Sequence, residues 1–237
     1  MIERHRTSTG RGVVVTGGNS GIGRAIAEAF VANGDRVVVL DRAGTDVVNV
    51  DVSQEESVRV AFATARQRLG SIDILVNSAG LLTESPVQDM TLAMWNETVS
   101  VDLTGVFLCC REVVGEMRQQ KWGRIINIAS QLAIKGGTGL SHYSAAKAGV
   151  VAFTKSLALE VASDNVLVNS IAPGPIETPL VQGISEKWKI AKRAELPLRR
   201  FGVAAEVAPT ALLLASEPGG NLYVGQTLGP NSGDVMQ

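Results

Sequence analysis

A tyrosine and a lysine four positions apart, Tyr143 and Lys147, are the side chains of this sequence best suited to acid/base chemistry. Residues at positions i and i+4 share one face of a helix, so this spacing brings an ammonium group close to a phenol. A free tyrosine has a pKa of about 10, and a nearby cation lowers that value because it stabilises the phenolate. The pair predicts that Tyr143 passes a proton, while Ser130, which closes the preceding apolar run, holds a substrate oxygen.

A glycine-rich turn follows the first apolar run of the chain and precedes a helical pattern. Glycines let a backbone approach a pyrophosphate closely, and the N-terminus of the next helix favours its negative charge. The spacing differs from the common G-x-G-x-x-G motif, and a tight strand-to-helix turn is the structural alternative. We interpret the turn as a dinucleotide site because other strand ends also carry suitable residues. Its predicted cofactor-binding residues are Gly17, Asn19, Ser20, Gly21, Ile22 and Gly23.

Asp41 ends the second apolar run, about twenty residues beyond the glycines, where a carboxylate can accept hydrogen bonds from an adenosine ribose. It would repel a 2′-phosphate, so the sequence favours NAD over NADP. The neighbouring Arg42 could receive that phosphate, and Asp41 could instead serve only as a loop cap. The next two strand ends add small or polar residues where a nucleotide would lie. These further cofactor-binding candidates are Asp51, Val52, Asn77, Ala79 and Gly80.

Short β-branched runs alternate with longer amphipathic segments, which predicts a Rossmann-type, doubly wound, mostly parallel α/β sheet of seven strands with helices on both faces. The predicted strands are Val13 to Thr16, Arg36 to Asp41, Val47 to Val52, Ile72 to Asn77, Arg124 to Ser130, Val166 to Ala172 and Gln226 to Leu228. The predicted helices are Ile22 to Asn33, Gln54 to Leu69, Thr91 to Gln120, Tyr143 to Ala162 and Ala204 to Ala215. Residues 42–46 are too few for a crossover helix, so we expect an extended loop and an unchanged parallel order.

Length and composition are typical of one enzyme-sized domain that acts on a small molecule. The 237 residues carry a net charge of -1, which gives no electrostatic footprint for nucleic acid or an anionic membrane. The adjacent cysteines Cys109 and Cys110 suit buried thiols, and no apolar stretch has the length of a membrane span. We expect a cytoplasmic protein with a flexible arm over residues 1–11 and one domain over residues 12–237. No residues have metal-ligand spacing around His142, so we predict no metal and place His142 at a pocket edge.

The chain resembles the short-chain dehydrogenases/reductases from about Gly12 to Gly233. The glycine turn, Asn77-Ser78-Ala79-Gly80, and the set Ser130, Tyr143 and Lys147 match separate motifs of that family. The resemblance implies that Tyr143 is the acid/base and that Ser130 polarises the carbonyl. Lys147 lowers the tyrosine pKa and, with Tyr143, contacts the nicotinamide ribose. It also implies a nicotinamide-holding segment formed by Pro173, Gly174, Ile176 and Thr178.

The same resemblance implies a homotetramer, with residues 104–120 and 144–162 forming much of one interface.

Two departures from the family stand out. Asp102 occupies the position of an asparagine that anchors a water in the proton relay, and a carboxylate cannot donate as that amide does. Asp164 stands where fatty-acid 3-oxoacyl reductases often carry an arginine for the acyl carrier protein. Asp102 is kept as a catalytic residue, and Asp164 argues against a carrier-bound substrate.

Residues 180–201 are irregular in pattern and resemble the substrate lid of the family.

The leading functional hypothesis is an NAD-dependent dehydrogenase that interconverts a secondary alcohol, such as a polyol, sugar or cyclic alcohol, and its ketone. A 3-oxoacyl thioester reductase acting on acyl carrier protein or coenzyme A substrates is the alternative. A dinucleotide-binding sensor without turnover is the third possibility, which the Asp102 departure makes conceivable.

Overall fold

Seven strands form a single parallel sheet in the computed structural model of the chain, which describes residues 10–182 and 186–236. The strands are β1 (Gly12–Thr16), β2 (Arg36–Asp41), β3 (Val48–Asn49), β4 (Ile74–Asn77), β5 (Gly123–Ile128), β6 (Val166–Ile171) and β9 (Thr227–Leu228). Their order across the sheet is β3-β2-β1-β4-β5-β6-β9, and every neighbouring pair is parallel. The order reverses between β1 and β4, as in a doubly wound fold, and the predicted fold class is confirmed.

Helices cover both faces of this sheet. The principal ones are α1 (Gly21–Ala32), α2 (Glu55–Leu69), α3 (Leu92–Val99), α4 (Gly105–Gln120), α6 (Ser141–Val161) and α9 (Ala204–Ala215). Shorter elements near the carboxyl edge are α5 (Leu132–Lys135), α7 (Pro179–Gln182), α8 (Glu186–Glu195) and the strand pair β7 (Ile176–Glu177) and β8 (Gly202–Val203). One apolar cluster joins the sheet to α2, α4 and α6, and a second joins it to α1 and α9. Because the central strands are buried on both faces, their valines and isoleucines form nearly continuous apolar runs.

Two predicted elements differ from the structure in extent. The third strand is paired over only Val48–Asn49, although its direction is parallel and no helix precedes it, as predicted. The helix predicted over residues 91–120 is interrupted by one π-helical turn, Ser100–Thr104, where the amide of Gly105 bonds the carbonyl of Ser100. Single π-helical turns inside α-helices are frequent at functional sites. This turn carries Asp102.

The folded body begins earlier than the sequence indicates. Arg11 was placed in the flexible arm, but its side chain is buried and bonds Asp35 through Nε at 2.9 Å and Nη2 at 2.7 Å. The same guanidinium donates to the carbonyl of Ala215 at 2.5 Å. Arg11 therefore ties the start of β1 to β2 and to the end of α9. Residues 1–9 of the predicted arm lie outside the described residues.

Candidate active site

The carboxyl edge of the sheet opens onto a cavity of about 1090 Å³. This is the edge where ligands bind in open α/β sheets, because the reversal of strand order leaves a crevice there. The cavity brings almost all of the predicted cofactor and catalytic residues into one space. Those that line it are Gly17, Ser20, Gly21, Ile22, Gly23, Asp41, Asp51, Val52, Ala79, Gly80, Asp102, Ser130, Tyr143, Lys147, Pro173, Gly174, Ile176 and Thr178.

Two predicted cofactor residues do not line this cavity. Asn19 turns its amide to the carbonyl of Ala43 at 2.9 Å. Asn77 is buried, and its Nδ2 donates to Oδ1 of Asn127 at 2.8 Å and to Sγ of Cys110 at 3.3 Å. These bonds tie the end of β4 to β5 and α4. The Asn77 side chain therefore has a structural role, and its cofactor contact stays a prediction.

The glycine turn has no space for side chains, because its backbone passes close to neighbouring segments. Gly17 has a φ of +63°, and a Cβ at this position would lie 2.6 Å from Cα of Ala79. A Cβ on Gly23 would lie 2.2 Å from the carbonyl oxygen of Gly17. The hydroxyl of Ser20, at the N-cap of α1, makes no bond to the first turn of the helix. The N-terminal amides of α1 therefore remain available, and the turn fits the pyrophosphate of a dinucleotide.

Asp41 combines the two roles that the sequence left open. Its Oδ2 accepts from the backbone amide of Asn19 at 3.0 Å, and its Oδ1 accepts from the amide of Ala43 at 3.4 Å, so it does cap the loop. The residue also borders the cavity, as does Arg42. A carboxylate has about four lone-pair positions, so these two contacts leave acceptor capacity for ribose hydroxyls.

The predicted nicotinamide segment closes the cavity opposite the glycine turn. The carbonyl of Pro173 accepts from the backbone amide of Gln131 at 3.0 Å, which fixes this segment to the end of β5. A Cβ on Gly21 would lie 3.4 Å from Cβ of Thr178, so the segment and the turn approach each other closely. The residues present therefore fit a nicotinamide dinucleotide at both of its ends.

Ser130, Tyr143 and Lys147 meet as the spacing predicts. Ser130 follows β5, and the other two share one face of α6. Ser130 lies close enough to Tyr143 to lower the pKa of the phenol, and Lys147 Nζ lies 5.6 Å from the centre of the tyrosine ring. All three are buried and border the cavity. A carbonyl oxygen placed between the two hydroxyls would find two hydrogen-bond donors.

Asp102 forms a direct ion pair with Lys147, which the sequence did not predict. Lys147 Nζ lies 3.0 Å from Oδ1 of Asp102 and donates to the carbonyl of Ile128 at 3.0 Å. The other carboxylate oxygen accepts from the amide of Leu81 at 3.1 Å. The aspartate and lysine side chains are 0% and 5% exposed. A Cβ on Gly80 would lie 2.7 Å from Asp102 Oδ1, so glycine at this position leaves space for the pair.

Burial, more than the ion pair, decides the direction of the pKa shift of Tyr143. Burial raises the pKa of the Tyr143 phenol most strongly, and the negative charge of Asp102 raises it further. Lys147 and the Ser130 hydroxyl lower the pKa, but the net shift is upward. Burial opposes the charge of Lys147, yet Asp102 and Tyr143 raise the pKa of its ammonium above the usual value. Lys147 therefore acts on the tyrosine pKa in the predicted direction, but burial outweighs its charge and Asp102 offsets part of it.

Several cavity residues escaped the sequence interpretation. Gln131 directly follows Ser130 and could have been found as the next residue at that strand end. Lys135 on α5 also lines the cavity, and only the tertiary structure brings that helix to this edge; Trp188 and Lys192 on α8, which line it as well, belong to the predicted lid. His142 was expected at the pocket edge and instead is fully buried, with Nε2 2.8 Å from the hydroxyl of Thr83.

Two further features of the described chain bear on function. No group of three or more histidine, cysteine, aspartate or glutamate side chains within residues 10–182 and 186–236 could hold a metal ion. Nor does any helix in this part of the chain have the length and apolar character to cross a membrane.

Comparisons with known proteins show which family the chain is similar to. The family model described as short chain dehydrogenase matches residues 11–189. The chain is 40% identical over 225 residues to the 3-oxoacyl-[acyl-carrier-protein] reductase FabG of Aquifex aeolicus, covering 88% of this chain and 91% of that protein. It is 37% identical over 242 residues to nodulation protein G of a Rhizobium species, covering 96% and 98%. The solved structure titled "Crystal structure of gox2181" superposes with a TM-score of 0.90 at 32% identity, covering 95% of this chain and 96% of that one.

Proposed function

Because this chain belongs to the short-chain dehydrogenase/reductase family, and is an NAD(P)-dependent oxidoreductase acting on CH–OH and C=O groups, we propose that it reduces the keto group of a 3-oxoacyl thioester. This proposal favours the alternative over the leading hypothesis of the sequence analysis. The observation that carries it is the similarity of the chain to 3-oxoacyl-[acyl-carrier-protein] reductases, which reaches 40% identity over 225 residues. Burial raises the pKa of the Tyr143 phenol, so this group is suited to give a proton to a keto oxygen.

The residues of the site fit this reaction. A nicotinamide dinucleotide supplies a hydride to the keto carbon when it is bound. Ser130 donates a hydrogen bond to the keto oxygen and orients it, while Tyr143 gives that oxygen its proton, so that a ketone becomes a secondary alcohol. Lys147 remains charged beside the tyrosine and stabilises the phenolate that is left. Asp102 fixes the position of Lys147.

Support for an acyl substrate also comes from the lining of the cavity. Apolar side chains from several segments contribute to it, and an alkyl chain would bury its surface against them at about 25 cal/mol per Å². These side chains are Leu81, Leu82, Leu132, Leu140, Trp188 and Phe201. The predicted lid, residues 180–201, contributes Trp188 from α8 and Phe201, whose rings lie 6.2 Å apart.

The objection raised by Asp164 is weaker in the structure than in the sequence. Its carboxylate accepts from Nζ of Lys121 at 2.5 Å and from Nε of Arg118 at 2.7 Å. The hydrogen bond from Lys121, followed by that from Arg118, lowers the pKa of Asp164. Because two cations compensate this one carboxylate, the patch is not repulsive toward an acidic carrier protein.

The secondary-alcohol dehydrogenase remains a second candidate because Asp41 favours NAD, the usual oxidant for alcohol oxidation. Steady-state assays decide between the two. Acetoacetyl-CoA with NADH or NADPH represents the first substrate class, and polyols and cyclic alcohols with NAD or NADP represent the second. The proposal is wrong if the alcohols are turned over efficiently and acetoacetyl-CoA is not. A dinucleotide-binding sensor would show cofactor binding and turn over neither class.

We also propose that NAD(H) is preferred over NADP(H), on the basis of the position of Asp41. Asp41→Ala should narrow the ratio of kcat/KM with NADH to kcat/KM with NADPH at least tenfold, because it removes the carboxylate that would repel a 2′-phosphate. Asp46→Ala removes a nearby exposed carboxylate and serves as the matched control. An unchanged cofactor ratio in Asp41→Ala would refute this role.

A homotetramer with α4 and α6 in one interface is a further proposal. Phe107 on α4 is 41% exposed and packs edge-to-face on Phe153 of α6 with ring centres 6.4 Å apart, an exposed aromatic pair typical of an interface. Phe107→Glu should reduce the mass measured by light scattering from that of a tetramer to that of a smaller species. The control Val60→Glu alters an exposed apolar residue on α2 instead. A wild-type protein that is already monomeric would contradict the proposal.

A further inference from the structure

The segment that follows β9 packs directly against the nicotinamide segment. The amide of Gly174 donates to the carbonyl of Pro230 at 3.1 Å, and a Cβ on Gly174 would lie 2.6 Å from Cα of Asn231. Asn231 then shapes a turn, since its Nδ2 donates to the carbonyl of Val235 at 2.7 Å and its Oδ1 accepts from the amide of Gly233 at 3.0 Å. The turn holds Asp234 in a fixed place.

Three donors from the cavity wall converge on the Asp234 carboxylate. Gln131 Nε2 donates to Oδ2 at 2.5 Å, while Lys135 Nζ and Lys192 Nζ donate to Oδ1 at 2.8 Å and 2.9 Å. The Asp234 side chain is 8% exposed, and that of Lys192 is 11% exposed. All three donors line the cavity, and Gln131 directly follows Ser130 in the chain. The cluster therefore stands beside the reacting end of the site.

The charges of this cluster nearly cancel. Lys135 and Lys192 alone would make this part of the cavity wall cationic, and Asp234 compensates them together with Glu195, whose Oε2 lies 3.1 Å from Lys192 Nζ. Burial would raise the pKa of Asp234, but hydrogen bonds from Lys135, Lys192 and Gln131 outweigh it and lower the pKa, so the carboxylate stays charged at neutral pH. A carboxylate from outside must compete with one that the chain already holds at a high effective concentration.

We propose that Asp234 is a specificity-determining residue, which neutralises Lys135 and Lys192 so that the site selects uncharged ketones over ketones with an anionic group near the carbonyl. The inference rests on the proposed function for one part only, the reduction of a ketone. The charge balance of the cluster does not depend on that reaction. It holds for a thioester or for any other neutral ketone, because it concerns only the charge that the substrate carries next to its keto group.

Methyl acetoacetate and acetoacetate test this proposal because they differ mainly in one negative charge. Wild-type protein should show the higher kcat/KM with the ester. Asp234→Asn should lower the ratio of kcat/KM with methyl acetoacetate to kcat/KM with acetoacetate at least tenfold at low ionic strength, and salt should reduce this effect. The double variant Asp234→Asn and Lys192→Met should lose most of the activity with acetoacetate that Asp234→Asn gains, because it also lacks one of the two lysine charges. Lys192→Met alone, which leaves carboxylate in excess, should move the ratio toward the ester. Glu186→Gln, an exposed change on the same helix, is the matched control.

A second measurement does not depend on turnover. Inorganic phosphate should raise the melting temperature of Asp234→Asn more than that of the wild type, because a ligand that binds the folded state stabilises it. If ketones are reduced but neither ratio nor phosphate response changes in Asp234→Asn, the inference is overturned and the proposed function stands. If no ketone is reduced and only Asp234→Asn responds to phosphate, the proposed function fails and the charge balance stands. If neither occurs, both are wrong.

Discussion

Replacing Tyr143 by phenylalanine should lower kcat for ketone reduction at least a hundredfold while the dissociation constant of the cofactor changes little. General acid catalysis by a positioned side chain contributes about 10²–10⁴-fold, and phenylalanine has no proton to donate. Phenylalanine fills the same volume among buried neighbours, so the fold should persist. The measurement is a stopped-flow or steady-state assay of NADH or NADPH consumption, with cofactor binding followed by calorimetry.

Tyr223 supplies the matched control, because it is the other of the two tyrosines in the chain and does not line the cavity. Tyr223→Phe should retain turnover within about twofold of the wild type. Wild-type turnover in Tyr143→Phe would show that the proton comes from another group. A loss of cofactor binding in that variant would mean that the tyrosine acts mainly by holding the cofactor.

Substitutions of Asp102 should have the second-largest effect. They should change both the free energy of unfolding and the pH profile of activity. Asp102→Leu leaves the Lys147 ammonium buried without a counter-ion, and breaking a buried pair in this way costs about 3–5 kcal/mol. Asp102→Asn should cost less, because its one amide oxygen can still accept from either Lys147 or the Leu81 amide. The free energy of unfolding, measured with urea below the wild-type pH optimum, tests both variants.

The direction of the pH effect follows from the charge that Asp102 carries. Its carboxylate raises the pKa of both Tyr143 and Lys147, so removing the charge lowers both. In the alcohol-oxidation direction Tyr143 must be deprotonated, and the rising limb of the profile in Asp102→Asn should move to lower pH. Asp164→Asn, which removes a paired carboxylate far along the chain, should leave the profile in place. A superimposable profile for Asp102→Asn would show that this residue does not tune the tyrosine.

Much of the fold could be predicted because the strands are short, β-branched and buried on both faces, which makes each of them visible as an apolar run. The short connection after Asp41 also followed from chain length alone, since no helix fits within residues 42–46. The π-helical turn at residues 100–104 could not be predicted. A single turn with i→i+5 hydrogen bonds requires no particular residue type, so nothing in the sequence marks it.

The site residues were predictable where a single physical requirement selects a single residue type. Glycine at Gly17 and Gly23 follows from close backbone approach, and the spacing of Tyr143 and Lys147 follows from helical geometry. Pairwise partners were not predictable, because the sequence does not tell which way a side chain points. Asn77 turned inward to Asn127, and Asp102 reached Lys147 directly.

The long-range charge balance was hidden for a related reason. Asp234 lies 99 residues beyond Lys135, and only the packing of the last turn against Gly174 brings them together. The same limit applies to the pKa of Tyr143. Its spacing from Lys147 is local, but the burial that raises the pKa depends on the whole tertiary structure around α6.

A crystal structure of the protein with NAD(H) or NADP(H) tests the arrangement of the site most directly. The adenosine ribose should lie within hydrogen-bonding distance of Asp41. The nicotinamide ring should lie between Tyr143 and the segment Pro173 to Thr178, with space beside the Tyr143 hydroxyl for a keto group about 3–3.5 Å from the reacting atoms. A dinucleotide bound outside this cavity, or a nicotinamide ring separated from Tyr143 by another side chain, would contradict the assignment.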